Sequence, residues 1–546
     1  MLACVQSAHC CFAGNLSASV RTPALLPVAL FALLSLTACT QAQTFCDSAD
    51  ITCNPLAAVL YLSADEPECL VRGEVPANGW TFFSGEASDD SLGFSACGLS
   101  DGSTILSGTA TAADTLAQGQ SPLLPFQGAA GDINGVSYRV NASGVLDRWT
   151  HFGQAGVSVS LTAVTEAPDG GFYIAATVGG GAGVTSINGL APLVGFQGGG
   201  SDIALIRYGA DLQPVWYRYL GGAGAPDSVG GVTATPDGGV GVVGISVGTF
   251  TQDGQSPLQP YSAVQDGVVF RVDSAGALEW CSFFGGGGSD LFTDVGRVPN
   301  ASFVNIPLES GERYVVVVQS NADVPSYAGL TPRRSYNGGT DVALLEFDGA
   351  GNVSEYSFFG SAGDENGPRL QASRSGDLYI SSTATANIPF FEGEPALNAF
   401  AGGSSDIWLL RLDAARSLVS HRFLGTASFE GTAALAETGT GELVIGTSMA
   451  AGPNFGVEPR FPNSGGQDLA LIRIGGDDVI QAFSYYGAAN GEVNNAIAGT
   501  SDGGAILVGE TAGPTFTPAG STLLEGYSGA LDEIYLRVFS DGSVAR

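Results

Sequence analysis

The sequence predicts an all-β fold, a seven-bladed β-propeller in which each blade is a four-stranded antiparallel sheet. The first observation is a residue pair, an aromatic or leucine followed by glycine, that recurs along the chain. Its glycines are Gly153, Gly221, Gly285, Gly360, Gly425 and Gly487, and Phe83-Ser84-Gly85 is a looser first copy; these seven glycines are here called the anchor glycines. Subtraction gives intervals of 68, 68, 64, 75, 65 and 62 residues. Such a period indicates similar units that bury their faces only against neighbouring units.

Composition is the second observation. The 546 residues include 80 Gly and 26 Pro, and only 13% are charged. Clusters of Gly, Asp, Ser and Pro divide the chain into short apolar runs, as turns divide strands. Helical periodicity is scarce, so the composition favours an all-β chain.

The clearest repeat, residues 222–285, gives the elements of one blade in order. Residues 229–235 predict a first strand of small side chains, and the Pro-Asp-Gly-Gly sequence at 236–239 predicts a tight turn. A loop of about twenty residues follows the second strand, and its length marks it as a place to look for function. The second, third and fourth strands are predicted at 240–245, 266–272 and 278–284.

The third and first strands of the repeats differ in character. Third strands are apolar on both faces, which predicts that each sheet lies between two other sheets. First strands, such as residues 161–164 and 432–435, consist of small residues that suit a crowded central axis. The apolar third strands include residues 203–206, 342–345, 407–410 and 469–472.

The two ends of the repeat region complement each other, which is the third observation. The last repeat has a first strand near 495–499, a second at 505–508 and a third at 533–539, and no fourth. Residues 79–83 supply the missing outer strand from the other end and remove an exposed edge. The predicted propeller spans 78–546, with blades at 86–153, 154–221, 222–285, 286–360, 361–425, 426–487, and 488–546 together with 78–85.

The N-terminal region predicts export. Residues 23–38 form an apolar run too short to span a bilayer comfortably, and the sequence Leu36-Thr37-Ala38-Cys39 resembles a bacterial lipobox. The resemblance implies that residues 1–38 are a lipoprotein signal peptide and that Cys39 carries the lipid. An ordinary secretory signal is the alternative, and a translation start near Val20 would give a more conventional amino-terminal region.

The cysteines after the signal fit an oxidising compartment. Residues 39–77 read as a tether and a small Cys-bearing collar before the ring. Cys46, Cys53, Cys69 and Cys97 could form two disulfides, with three connectivities open. Metal binding by these cysteines is disfavoured because no Cys-x2-Cys pair or neighbouring histidine completes a site.

The charge of the chain excludes one class of partner. Its net charge is −33, and all 20 basic residues are arginine. Nucleic acid is disfavoured because phosphate binding needs a clustered basic surface. The acidity indicates a solvated surface of an exported protein.

The segments around the third strands resemble a known family. They read GFQGGGSDIALIRY from Gly195, SYNGGTDVALLEF from Ser335 and AFAGGSSDIWLLRL from Ala399. With the strand endings WYRYLGG and CSFFGGG and the Pro-Asp-Gly-Gly turns, they resemble the SBBP-type β-propeller repeat of bacterial exported proteins. The resemblance covers residues 78–546 and implies a secreted or surface-attached propeller. It implies no catalytic site.

Two sets of polar residues recur once per repeat. The strand-three acids begin the third strands and are followed by arginine five residues later, at 202/207, 266/271, 406/411, 468/473 and 532/537. Asn134 with Arg139 and Asp341 with Glu346 depart from this pattern. Because the pattern recurs in each blade, we expect turn capping by the acid and ion pairing by the arginine.

The second set, the loop acids, follows the anchor glycines. It comprises Asp90, Asp227, Asp290, Glu365, Glu430 and Glu492, with Ser158 at the seventh position. These residues are predicted to surround one mouth of the channel and are candidate ligands for Ca²⁺ as a cofactor. The alternative is that each carboxylate caps its own loop, since no dedicated calcium-binding loop is present.

Candidate catalytic residues are few. His151 and His421, the two histidines after the signal, lie in predicted fourth strands and are interpreted as ordinary strand side chains. No phosphate-binding Gly loop with lysine occurs, because the chain has no lysine. No catalytic or cofactor-binding residue is therefore assigned.

We expect a monomeric, lipid-anchored protein of the bacterial cell envelope, at the outer membrane or cell surface. Its propeller is expected to act as a binding scaffold for an unidentified protein or glycan, and membrane contact to occur through the lipid alone. One alternative is a polysaccharide hydrolase or lyase that uses carboxylates at the channel mouth. The other is a structural component of a surface layer or adhesin.

Overall fold

The computed structural model divides the chain into two units, Met1–Glu66 and Pro67–Arg546, and the residues it describes lie in the second. The predicted signal peptide, Cys39, Cys46 and Cys53 therefore lie outside the described residues. The described ranges are 69–70, 80–84, 95–111, 117–129, 132–141, 143–224, 226–262, 265–286, 302–308, 311–431, 433–452, 455–488, 491–511, 522–525 and 532–544.

Strands account for the regular structure of these ranges. The first four blades and the strand that precedes them comprise β1 (Trp80–Ser84); β2 (Ser95–Gly98), β3 (Thr104–Ala110), β4 (Asn134–Val140), β5 (Leu146–Phe152); β6 (Ser158–Glu166), β7 (Phe172–Gly179), β8 (Ser201–Tyr208), β9 (Pro214–Leu220); β10 (Asp227–Ala234), β11 (Val240–Ser246), β12 (Asp266–Val272), β13 (Leu278–Phe284); β14 (Ser302–Leu308), β15 (Gly311–Ser320), β16 (Asp341–Asp348) and β17 (Val353–Phe359).

The remaining blades follow the same order along the chain. They comprise β18 (Glu365–Ala372), β19 (Leu378–Ala384), the hairpin β20 (Phe390–Phe391) and β21 (Glu394–Pro395), β22 (Asp406–Leu412), β23 (Leu418–Leu424); β24 (Ala434–Glu437), β25 (Leu443–Ala450), β26 (Gln467–Ile474), β27 (Ile480–Tyr486); β28 (Glu492–Gly499), β29 (Ala505–Thr511), β30 (Thr522–Glu525) and β31 (Asp532–Val538). No helix within the described ranges is long and apolar enough to cross a bilayer.

The seven sheets confirm the predicted seven-bladed propeller. Each blade has an antiparallel order such as β6-β7-β8-β9. The last blade closes as predicted, because β1 from the N-terminal side pairs antiparallel with β31, with Phe82 opposite Tyr535. A fifth strand was not predicted: β30 pairs parallel with β1 and becomes the outermost strand of this blade.

The core consists of the layers between neighbouring blades. On β8, Ala204 and Ile206 pack into a cluster with Phe152 of the first blade, whereas Ile203 and Leu205 pack with Phe270 of the third. Alternate side chains of one strand therefore belong to two different cores. Burial of each large aliphatic side chain contributes about 1.5–3 kcal/mol, so the layers hold the ring together.

The long loops between second and third strands cover the outer edges of the blades. In the second blade the Leu193 amide donates to Tyr217 O at 2.8 Å, and the Tyr219 amide donates to Val194 O at 3.0 Å. Equivalent pairs of bonds join Leu123 and Leu124, Leu258 and Gln259, Arg333 and Arg334, Leu397 and Asn398, and Arg460 and Phe461 to the fourth strands of their blades. The sequence marked these loops for function, but their backbone protects the fourth strand from edge pairing.

Candidate functional site

The strand-three acids lie beside the anchor glycines that end the same blades. A Cβ on Gly425 would lie 2.5 Å from Asp406 Oδ1, and one on Gly153 would lie 2.2 Å from Asn134 Oδ1. Both distances are shorter than any normal contact, so a side chain at this position would force the polar group to shift. The anchor glycine is therefore required by the polar side chain packed against it.

The described strand-three acids cap the loops that precede them. Asp341 Oδ2 accepts the Asn337 amide at 2.7 Å, and Asp468 Oδ2 accepts the Ser464 amide at 2.7 Å. Asp266 accepts the Ser262 amide at 2.6 Å and its hydroxyl at 2.8 Å. Asn134 makes two bonds of 3.0 Å with the backbone of Gln127. The loop-capping part of the prediction is confirmed at these positions.

The loop acids lie at separate blade junctions. Asp227, Glu365, Glu430 and Glu492 each begin or precede the first strand of a blade and are fully buried. In the second blade Val159 occupies the equivalent place, because it pairs with Val178, which pairs with Asp202; Val159 is buried, whereas Ser158, the predicted position, lies one residue earlier and is exposed. Asp90 and Asp290 lie outside the described residues. Across the described ranges, no three His, Cys, Asp or Glu side chains are grouped as a metal site. Calcium binding by these acids stays a prediction.

Each described loop acid bonds to the residue that follows an anchor glycine. The Gly222 amide donates to Asp227 Oδ2 at 2.8 Å, the Ser361 amide to Glu365 Oε2 at 2.8 Å, and the Ala488 amide to Glu492 Oε2 at 3.1 Å. The Thr426 hydroxyl donates to Glu430 Oε1. These contacts are those that the turn-capping interpretation expects.

The two acidic sets meet in pairs across the anchor glycines. A Cβ on Gly487 would lie 2.4 Å from Asp468 Oδ1 and 2.5 Å from Glu492 Oε2. A Cβ on Gly360 would likewise lie 2.3 Å from Asp341 Oδ1 and 2.5 Å from Glu365 Oε2. The third-strand acid of one blade therefore faces the acid that opens the next blade, which sequence reasoning missed.

Burial and mutual repulsion disfavour charge on these paired carboxyls. Burial, reinforced by the charge of the neighbouring acid, raises the pKa of Asp202 and of Asp341 to about 7. The same two causes raise the pKa of Glu430 and of Glu492 to about 7. A shift of this size, in carboxyls whose pKa no described arginine lowers, marks the junctions as candidate functional positions.

The third-strand arginines pair with acids in the turn between the first and second strands of their own blades. Arg271 contacts Asp237 at 2.6 Å, and Arg537 contacts Asp502 at 2.6 Å. The other pairs are Arg139 with Asp101, Arg207 with Asp169, Arg411 with Asp377 and Arg473 with Glu442. These contacts confirm the predicted ion pairing within the loops.

Three of these arginines also reach the following blade. Arg271 Nε donates to the Tyr314 hydroxyl at 2.9 Å, and Arg473 Nη1 donates to Ser540 O at 2.8 Å. Arg411 Nη1 lies 3.1 Å from Asp478 Oδ2. The arginines thus hold neighbouring blades together, as the structural interpretation predicted.

The fourth blade reverses the charges of this arrangement. Glu346 occupies the arginine position, and Arg313 lies 2.9 Å from its Oε2. The side chain of Arg416, in the turn between β22 and β23 of the next blade, binds its Oε1. The exception noted in the sequence therefore keeps an ion pair between blades, with the acid and the base exchanged.

The histidines are strand side chains, as predicted. Trp408 Nε1 donates to His421 Nδ1 at 3.2 Å, and His421 Nε2 lies 2.9 Å from Glu394 O. Burial lowers the pKa of His421, although the Glu394 carbonyl opposes this effect. His151 is buried against the rings of Phe126 and Trp149.

One of the possible disulfide pairings is formed within the described residues. Cys69 and Cys97 form a disulfide with a Cα–Cα separation of 4.1 Å, which ties the collar to the first blade. Cys281 is free and buried in the third blade, and burial raises its thiol pKa to about 12. It is therefore a packing residue and not a reactive thiol.

Comparisons with known proteins find similar structures. No family model and no curated protein matches the chain. A protein of unknown function from Dyadobacter fermentans is 10% identical, with a TM-score of 0.34 and coverage of 70% of this chain and 94% of that chain. The NanB sialidase of Streptococcus pneumoniae is 12% identical, with a TM-score of 0.36 and coverage of 86% and 70%. The polysaccharide lyase Uly1 is 9% identical, with a TM-score of 0.39 and coverage of 88% and 98%.

Proposed function

We propose that the chain is an exported lipoprotein of the bacterial cell envelope, built from SBBP-type repeats. Its seven-bladed propeller serves as a scaffold that binds a protein or glycan at the cell surface. The lipid on Cys39 holds it on the membrane.

The observation that carries the exported location is the disulfide between Cys69 and Cys97. Disulfides persist outside the reducing cytosol, in the periplasm and at cell surfaces. The apolar run at 23–38 and the sequence that ends in Cys39 supply the matching export signal and attachment residue.

The structural interactions of the polar residues support a role as a binding scaffold. The repeated arginines are engaged in ion pairs within and between blades, and His421 is bonded on both ring nitrogens. The long loops cover the strand edges. Rings with protected edges suit the presentation of a fixed surface to a partner.

Replacing Cys39 by alanine is expected to abolish lipidation in cells that export the protein. Incorporation of radiolabelled palmitate should be lost, and the protein should move from the membrane to the soluble fraction, because the thiol that accepts the lipid is gone. The matched control, Thr40→Ala, changes the next residue and should keep the label.

Palmitate incorporation that survives Cys39→Ala would contradict the anchor. The scaffold is tested on the same purified wild-type protein, which should leave a panel of bacterial polysaccharides and sialylated glycans uncleaved. Release of reducing sugars or unsaturated products would show an enzyme instead.

A further inference from the structure

The acids at the blade junctions face each other in pairs, and no positively charged side chain among the described residues neutralises them. The pairs with described side chains are Asp202–Asp227, Asp341–Glu365, Asp406–Glu430 and Asp468–Glu492, and every member is at most 1% exposed. Two buried carboxylates that face each other repel strongly unless something between them carries positive charge.

One oxygen of each strand-three acid in these pairs has no hydrogen-bond partner. Oδ2 of Asp341 accepts the Asn337 amide, whereas Oδ1 is buried and unpartnered on the side that faces Glu365. The Oδ1 atoms of Asp202, Asp406 and Asp468 are also buried without a partner. A buried acceptor left unsatisfied costs about 1–3 kcal/mol, so its repetition at four junctions indicates a missing donor.

Among the described residues, none donates a hydrogen bond to the unpartnered oxygen of Asp341. Ser320 on β15 and Ala384 on β19 lie opposite the two acids. The Ser320 hydroxyl donates to Ala322 O, and the Ser361 hydroxyl donates to Glu365 Oε1. Asp364, the other ionisable group that acts on the pair, is itself an acid. No arginine among the described residues shifts the pKa of either carboxyl.

The sequence loses both acids together at one junction. Between the first and second blades the strand-three position is Asn134, and the residue in the place of the loop acid is Val159. The other six junctions have an acid at both positions. Joint loss is expected when the two side chains share one ligand, because either acid alone would be a buried charge without a partner.

We propose that each paired junction binds one proton, shared between the two carboxyls as a hydrogen bond from one acid to the carboxylate of the other. The proton joins Oδ1 of the strand-three acid to the facing oxygen of the loop acid, across the anchor glycine. Binding of this proton requires no group other than the two carboxyls. Ca²⁺ takes six to eight oxygens, and the described residues gather no group of three acidic or other metal-ligating side chains.

The shared proton makes the blade junctions sensitive to pH. Burial and the neighbouring Glu365 charge raise the pKa of Asp341 to about 7 from its ordinary value of 3.8. A raised carboxyl pKa means that the folded state holds the proton more tightly than the unfolded chain does. The stabilisation is full below about pH 4 and is lost as the pH rises through about 7.

The test replaces the acid pair between the fourth and fifth blades with the residues found between the first and second blades, where no acid pair is present. Asp341→Asn with Glu365→Val copies Asn134 and Val159, and the unfolding midpoints of this variant and of wild type are measured at pH 5 and pH 8. Wild type should be favoured relative to the variant at pH 5, and this advantage should shrink or reverse at pH 8. A pKa of about 7 in the folded state, against 3.8 in the unfolded chain, corresponds to a change of about 100-fold in the relative unfolding equilibrium constant between pH 5 and pH 8.

A difference between variant and wild type that is equal at pH 5 and pH 8 would overturn the proposal. So would a stabilisation by CaCl₂ at pH 8 that occurs in wild type and is absent in the variant, because it would assign a cation to the pair. Asp211→Asn, at an exposed turn acid, should leave the pH dependence unchanged. If the double variant does not fold, infrared spectra of wild type at pH 7 decide: a protonated-carboxyl band supports the proposal, and its absence contradicts it.

Discussion

Replacing Arg416 by methionine is expected to lower the free energy of unfolding by about 3–5 kcal/mol, the cost of breaking a buried ion pair from one side. The Arg416 side chain is 5% exposed, and that of its partner Glu346 is 2% exposed. Methionine keeps much of the apolar volume but leaves Glu346 with Arg313, which is 41% exposed, as its remaining ion-pair partner. Because the pair joins the fourth and fifth blades, its loss should loosen the ring at that junction.

Chemical denaturation followed by tryptophan fluorescence measures this loss as a lower transition midpoint at an unchanged slope. Arg148→Met is the matched control, because Arg148 contacts Asp147 at 3.4 Å and both side chains are more than a third exposed. Exposed pairs contribute about 0–1 kcal/mol, so this variant should unfold close to wild type. Equal midpoints for the two variants would mean that Arg416 does not join the blades.

Replacing Gly360 by alanine is expected to cost about 3 kcal/mol, at the upper end of the usual penalty for overpacking. The new Cβ would lie 2.3 Å from Asp341 Oδ1 and 2.5 Å from Glu365 Oε2. Neither carboxyl can withdraw easily, because hydrogen bonds to the Asn337 and Ser361 amides fix them. Thermal and denaturant unfolding should both show the destabilisation.

Two further glycines separate this effect from a general effect of alanine. Gly195 is exposed and a Cβ there would meet nothing within 4 Å, so Gly195→Ala should be nearly neutral. Gly153→Ala would place a Cβ 2.2 Å from Asn134 Oδ1 and should destabilise about as much as Gly360→Ala. If Gly360→Ala were as stable as Gly195→Ala, the anchor glycines would not be packed as described.

The blades and their closure were predictable because they leave periodic traces in the sequence. Third strands that are apolar on both faces require a sheet on each side, and the structure places Ile203 and Ile206 in different cores. The missing fourth strand of the last repeat identified residues 79–83, and β1 pairs with β31. These features depend on packing rules that act on every repeat alike.

The edge-covering loops and β30 were not predictable by the same rules. Leu193 and Val194 reach the fourth strand through backbone groups alone, and backbone bonding leaves no side-chain pattern in the sequence. β30 pairs with β1 across more than 400 residues of chain, and parallel pairing of a short segment has no local signal.

The residues of the candidate site could be predicted from the sequence, but the contacts between them could not. Both acidic sets were identified, but as two separate rings, because their spacing along the chain does not show which acids face each other. The contact depends on the anchor glycine, whose missing side chain lets Asp341 and Glu365 approach from opposite sides. The lack of an acid both at Asn134 and at the start of the second blade was the signal that could have joined the two sets.

Closure of the ring is tested most directly by an engineered disulfide between β1 and β31. Ser84 lies opposite Glu533, so the double variant Ser84→Cys/Glu533→Cys should form a disulfide on oxidation, detected by mass spectrometry of the linked peptides. Phe83→Cys/Glu533→Cys places the two cysteines on opposite faces of the sheet and should not link. Efficient linkage of the first pair alone is the expected result; its failure to link, or equal linkage of both pairs, would contradict a ring closed by the N-terminal strand.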